Sequence, residues 1–177
     1  MIVEPVMMNA GIIPPDDGYL AAIRDLLHAE GALLIFDEVK TGFTTGPGGV
    51  TAMSGVVPDM ICLAKALGGG ISVAAIGGTT EVMSLIADGR YEQVGTFNGN
   101  PLAMAATRAT LSEILTPAAY ERMTKLAARL RDVDFIPQRG FDQHVGGILV
   151  ATGSFAAHDA GERFDAVVGG NDADAAV

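Results

Sequence analysis

The chain has 177 residues, of which 49% are hydrophobic and 18% charged, a composition that excludes an intrinsically disordered chain and supports one domain with an ample core. Eleven Lys and Arg against 21 Asp and Glu give a formal charge of −10, and no basic run is interleaved with aromatics, which excludes a nucleic-acid partner. A single cysteine, Cys62, forbids any disulfide within the chain, and no apolar run approaches the ~18 residues of a membrane span, so no membrane association and a cytoplasmic setting are expected.

In chain order, "MIVEPVMM" reads as a short buried strand closed by the turn-rich "NAGIIPPDDG". Asp16 or Asp17 is expected to cap an amphipathic helix over residues 18–30, with Leu20, Ile23, Leu26 and Leu27 at helical spacing and Gly31 as the stop. "ALLIFDEV" is a continuous apolar run ending in Asp37 and Glu38, as in a strand buried on both faces. The glycine-rich stretch from Lys40 to Asp59 is a loop with at most a short helix in "VTAMSG". "MICLAK" is a second buried strand that carries Cys62 as an apolar, inert thiol and ends at Lys65.

Beyond Lys65, "GGGISVAAIGG" reads as a glycine-led turn and another strand, and "TEVMSLIADG" as a helix capped by Thr79 or Thr80. "QVGTFNGNP" is a polar turn, and Pro101 suits the first position of a helix through Leu115, with a further helix in "PAAYERMTKLAARLRD". Strands alternating with helices predict the α/β class with a mostly parallel sheet and flanking helices. After about Asp132 the chain becomes rich in Ala, Gly and Asp, and its last part, residues 151–177, is expected to be atypical and weakly ordered.

The chemistry concentrates at two strand ends. In open parallel sheets, ligands bind beyond the carboxyl ends of the strands, where both Asp37 and Lys65 are expected. On its own stretch, a lysine after an apolar run is most simply an amine reaching for water. A carboxylate and an amine at one cleft, however, suit pyridoxal phosphate, which is held by a lysine Schiff base and keeps its ring nitrogen protonated against a carboxylate. The glycines after Lys65 are then expected to let the backbone approach the ring. Glu38 is read as a loop-anchoring carboxylate and left out of the catalytic pair. His28 is expected at the surface, and no histidine has a partner at metal-ligand spacing.

"LLIFDEVKTGF", "PDMICLAKALGGGISVAAIGG" and "GTFNGNPLAMAA" together resemble, in order and spacing, the signatures of class III pyridoxal-phosphate-dependent aminotransferases, particularly the glutamate-1-semialdehyde 2,1-aminomutase branch. The resemblance implies pyridoxal 5'-phosphate as cofactor and amino-group transfer on a small amino or keto acid. Asp37 would pair with the pyridine nitrogen, Val39 would pack on a ring face and Lys65 would bond the cofactor aldehyde. Thr96 would reach the cofactor phosphate of the neighbouring subunit, implying a homodimer, and Asn9 falls near the substrate.

The resemblance also implies a fold type I transferase, with residues 1–115 as part of the large domain and 116–150 as the start of a small C-terminal domain. Complete members of the family are longer, with an N-terminal half that supplies the phosphate loop and a ring-stacking aromatic. The chain is therefore expected to be a fragment, and the alternatives to an aminotransferase or aminomutase are a non-catalytic truncated remnant and a class III decarboxylase.

Overall fold

The computed structural model describes residues 1–131 and 164–168. A five-stranded sheet, in the order β1 to β5, is formed by β1 (Ile2–Val3), β2 (Ile35–Asp37), β3 (Met60–Leu63), β4 (Ala75–Thr79) and β5 (Phe164–Val168). β1 to β3 run parallel, whereas β4 is antiparallel to both β3 and β5. The sheet is thus mixed, with a smaller parallel share than the sequence predicts. The physical reason lies between β3 and β4: parallel neighbours need a crossover of a dozen or more residues, and this connection holds only one tight turn.

α1 (Tyr19–Ala29) joins β1 to β2 on the scale of a parallel crossover. Neither Asp16 nor Asp17 caps it: the N-cap is Gly18, in the left-handed region at φ 78°, with no side-chain cap. Leu20 is buried and Ile23 and Leu27 pack partly against the core, while Leu26 is 64% exposed, so three of the four predicted leucine and isoleucine positions face inward. α2 (Gly49–Ser54) is the short helix expected in the glycine-rich loop. α3 (Thr80–Ala87) is capped by the Thr79 hydroxyl, which accepts from Val82 N at 3.4 Å.

α4 (Pro101–Ala109) opens on Pro101 as predicted, with Asn100 Oδ1 accepting from Ala103 N at 2.9 Å, and passes into a π-turn over Thr110–Ile114 before α5 (Pro117–Arg131). The principal core gathers Val6, Leu20, Leu34, Phe36, Val50 and Val56 between β2, α1 and α2. It sits directly behind the C-terminal end of β2. Asp59 fastens that core's edge: its Oδ2 accepts from Leu34 N at 2.7 Å and faces His28 Nε2 at 3.0 Å, which ties α1 to the starts of β2 and β3.

Two expectations change. Met7, in the stretch read as a short buried strand, is 47% exposed, because β1 ends at Val3 and the following segment turns back to bridge Met7 with Ile13. Residues 164–168 lie in the stretch expected to lack regular structure, yet they pair with β4 along its full length, consistent with the β-favouring Phe and Val residues of "FDAVV". Of the small domain expected to start at residues 116–150, residues 132–150 lie outside the described residues, as does the rest of the atypical tail.

Candidate active site at the strand ends

β2 closes on Asp37, whose Cα partner on β3 is Cys62. The Asp37 carboxylate folds back on its own chain, Oδ1 accepting from Val39 N at 3.0 Å, an Asx-type turn that lifts the backbone off the sheet. Strand alternation sends the next side chain the other way. Glu38 is completely buried and accepts four hydrogen bonds: Thr41 Oγ1 at 2.9 Å and Val50 N at 2.7 Å on Oε2, Thr51 N at 2.8 Å and Thr51 Oγ1 at 2.7 Å on Oε1. The carboxylate thereby takes up orphan amides at the start of α2. Gly49 is required there, because at φ 61° its missing Cβ would overlap Glu38 Oε2.

β3 ends at Leu63, two residues short of the predicted terminus, and Ala64 leads into a 3₁₀ turn over Lys65–Gly68. Lys65 itself is exposed and adopts φ 51°, a left-handed backbone that costs an L-residue on the order of 1 kcal/mol or more. Such strain in a lysine at a strand end points to a functional position. Two of the glycines that follow serve packing inside the protein: a Cβ on Gly68 would meet Val73 Cγ1 at 2.6 Å, and one on Gly69, at φ 56°, would meet Thr110 Oγ1 at 2.5 Å. Gly70, at φ 110°, has open space where a Cβ would stand and lines a hollow together with Lys65.

Two cavities adjoin this edge. One of about 410 Å³ is lined by Val39, Cys62, Ser72, Phe97, Asn98 and Asn100, among others. A second, of about 590 Å³, is lined by Lys65 and residues 70–74, and the two share Ser72, Val73 and Ala74 as a common wall. Val39 and Lys65 therefore face neighbouring hollows, while Asp37 stands at the end of β2, paired with Cys62, and lines neither. Burial, and secondarily the Asp37 charge, pushes the Cys62 thiol up from its ordinary pKa, so the thiol stays protonated at neutral pH.

Thr96 is exposed in a turn closed by Asn98 N donating to Gly95 O at 3.0 Å, beside Phe97 and Asn98 of the first cavity. Asn9 is also exposed, and its Oδ1 accepts from Lys40 Nζ, which ties it to the residue after Val39. The structure thus brings Asp37, Val39 and Lys65 to one edge of the sheet, with Asn9 joined to that edge through Lys40. Thr96 sits on a separate exposed turn. Cys62, read from sequence as a buried core thiol, is only partly buried and lines the cavity opposite Asp37; the apolar run around it gave no sign of that.

The family model for class III aminotransferases matches residues 1–159, and the chain belongs to that family. It is 47% identical over 133 residues to the glutamate-1-semialdehyde 2,1-aminomutase 2 of Brevibacillus brevis, covering 75% of this chain and 31% of that protein. It is 50% identical over 129 residues to the corresponding aminomutase of Roseiflexus castenholzii, covering 72% of this chain and 30% of the relative. Among solved structures it resembles a β-phenylalanine aminotransferase from Variovorax paradoxus with a TM-score of 0.67 at 38% identity, over 73% of this chain and 30% of the other. A glutamate-1-semialdehyde aminomutase from Pseudomonas aeruginosa gives 0.66 at 35% identity, over 73% and 31%. The chain spans about a third of the length of these relatives.

Proposed function

We propose that this chain supplies the lysine and the ring-nitrogen carboxylate of a pyridoxal 5'-phosphate site in an enzyme that moves amino groups, of the glutamate-1-semialdehyde 2,1-aminomutase kind. The observation that carries the reading is the placement of Asp37 and Lys65 beyond the C-terminal ends of adjacent parallel strands, with the lysine backbone held in a strained turn. Relatives support the cofactor, since one solved transaminase is described with PLP bound and the Pseudomonas aeruginosa aminomutase has been solved in complex with PMP.

The residues present fit that group. An exposed primary amine and an apolar Val39 border two adjoining hollows of about 410 and 590 Å³, and the Asp37 carboxylate sits at the strand end, bonded to Val39 N. When bound, pyridoxal phosphate supplies an aldehyde carbon and an electron-withdrawing ring. Asp37 would hold a proton at the ring nitrogen, and its bond to Val39 N keeps that carboxylate pointing along the strand end. Val39 would give a ring face an apolar surface that excludes water. Lys65 Nζ would hold the cofactor as a nucleophile and then, released as a free amine, carry a proton to and from the substrate carbon.

Asn9, fixed by Lys40, would orient a small amino or keto acid. Thr96 stands on a turn whose neighbours Val94 and Phe97 are 72% and 82% exposed, a surface that a second copy would cover while Thr96 reaches that copy's cofactor phosphate. We read residues 1–115 as part of the large domain, and α5 as the beginning of the smaller one.

The test is a half-reaction. The chain is mixed with pyridoxal phosphate and a small amino acid, and formation of pyridoxamine phosphate is followed by chromatography. Formation by the native chain and its loss in Lys65→Ala supports the reading; equal turnover by both proteins, or none by the native chain, contradicts it.

A further inference from the structure

Glu38 is the most completely enclosed ionisable side chain among the described residues, and nothing in the proposed chemistry uses it. Its carboxylate joins two separate pieces of chain: Thr41 on the loop after β2, and Val50 and Thr51 at the start of α2. Its backbone joins two more contacts, with Glu38 N donating to Cys62 O at 3.0 Å and Gly42 N donating to Glu38 O at 2.9 Å. A Cβ on Gly42 would stand 2.5 Å from Leu63 Cδ2, so the loop is wedged between Glu38 and the last residue of β3, two positions before Lys65.

We propose that Glu38 is the positioning residue of this site: by pinning the loop from Val39 to Gly49 under the sheet edge, it fixes the turn in which Asp37 and Val39 are presented. The proposal rests on the pyridoxal phosphate reading above. The Asp37–Val39 turn has one internal hydrogen bond, and that bond alone does not fix the largely buried loop that follows it. Thr45 Oγ1, donating to Thr41 O, and Tyr120 OH, donating to Phe43 O, brace the middle of the loop, whereas Glu38 holds both of its ends, at Thr41 and at Val50 and Thr51. Consecutive strand residues face opposite ways, so the same peptide that turns Asp37 toward the cavity edge turns Glu38 into the interior, and neither can rotate without displacing the other.

All four acceptor positions of the carboxylate are occupied, which makes the amide a specific probe. Glu38→Gln keeps the volume and leaves one oxygen for Thr51, but sets an amide donor against Val50 N–H and the Thr41 hydroxyl. A mispositioned cofactor contact loses on the order of ten- to a hundredfold in binding or rate. A residue that only contributes stability would weaken the fold and leave the site's geometry alone.

The experiment compares the full chain with Glu38→Gln and with Met83→Ala, a substitution in the buried face of α3 that lowers stability away from the loop. Two readouts are taken: amide exchange at Val39, and the affinity and pH dependence of the visible band formed with pyridoxal phosphate. Glu38→Gln is expected to speed Val39 exchange by about tenfold or more, weaken pyridoxal phosphate by a similar factor and displace the pH midpoint of the band, while Met83→Ala changes none of these at a matched loss of melting temperature. Unchanged Val39 exchange in Glu38→Gln, or identical changes in Met83→Ala, overturns the proposal. Where Glu38→Gln does not fold, Thr41→Val and Thr51→Ala, each removing one hydroxyl donor, are held to the same criteria. A native chain that binds no pyridoxal phosphate at Lys65 overturns the functional reading, and Val39 exchange then still decides whether Glu38 pins the turn.

Discussion

Asp37 and Cys62 stand opposite each other across the parallel ladder of β2 and β3, the last paired residues before the chain reaches Lys65. The carboxylate and the thiol are electrostatically coupled: the thiol's pKa is raised first by burial and then by the Asp37 charge. Asp37→Asn removes the second cause, so the thiolate fraction at a given pH rises. Alkylation of Cys62 by iodoacetamide at pH 8 should be faster in Asp37→Asn than in the native chain, with the midpoint of the pH–rate curve moved down. An unchanged midpoint would show that the two side chains do not sense each other.

The backbone at Lys65 yields a second expectation. In a left-handed conformation glycine is favoured over alanine by about 1 kcal/mol or slightly more, whereas in an ordinary strand or helix the order is reversed. Urea unfolding should therefore find Lys65→Gly more stable than Lys65→Ala by about that amount. The opposite order would mean that the lysine backbone is relaxed.

Asp59 should carry stability without touching the site. Asp59→Ala leaves the amide of Leu34, a fully buried residue, without its acceptor and frees His28, for a loss of about 2 kcal/mol. Asp59→Asn retains an oxygen for Leu34 and should cost less than half of that. Both values come from denaturant curves with unchanged slope.

Tyr120 links α5 to the site-bearing loop, its hydroxyl donating to Phe43 O at 3.3 Å, and burial raises its pKa above the ordinary 10. A raised folded-state value means that the phenol's contribution is fully present below the unfolded pKa and is lost as pH climbs through the folded one. Thermal stability should thus fall above about pH 10, and less steeply in Tyr120→Phe. Melts between pH 8 and 11.5 check the sign.

If two copies meet through the exposed turn after residue 90, Phe97 lies in the contact. Sedimentation should show a dimer for the native chain, weakened at least tenfold in Phe97→Ser, since truncating a central aromatic anchor commonly removes 2 kcal/mol or more, on the order of thirtyfold in the constant. A native chain that sediments as a monomer at all concentrations would contradict the pairing.

The strand ends were legible because their signals are local. Apolar runs that stop at Asp37 and just before Lys65 mark strands, though β3 is only half-buried throughout and β2 buries Phe36 alone, and Thr79 and Pro101 mark helix starts by capping chemistry that acts within a few residues. The direction of β4 was not, because it depends on what the chain does between strands: a turn of four residues where a crossover helix was needed for a parallel neighbour. Nor was the packing that requires Gly68 and Gly69, against Val73 and against Thr110 at the end of α4. Glu38 could be separated from Asp37 by strand alternation alone, but its four hydrogen bonds, three of them from α2, required the fold.

The account stands on Lys65 being the amine that takes the cofactor, and one measurement addresses it directly. The chain is saturated with pyridoxal phosphate, reduced with borohydride, digested and mapped by mass spectrometry. The account predicts one dominant phosphopyridoxyl label, on Lys65, that vanishes in Lys65→Ala and weakens in Asp37→Asn. Label scattered over Lys40, Lys125 and the N-terminal amine, with Lys65 no more modified than they are, would contradict it.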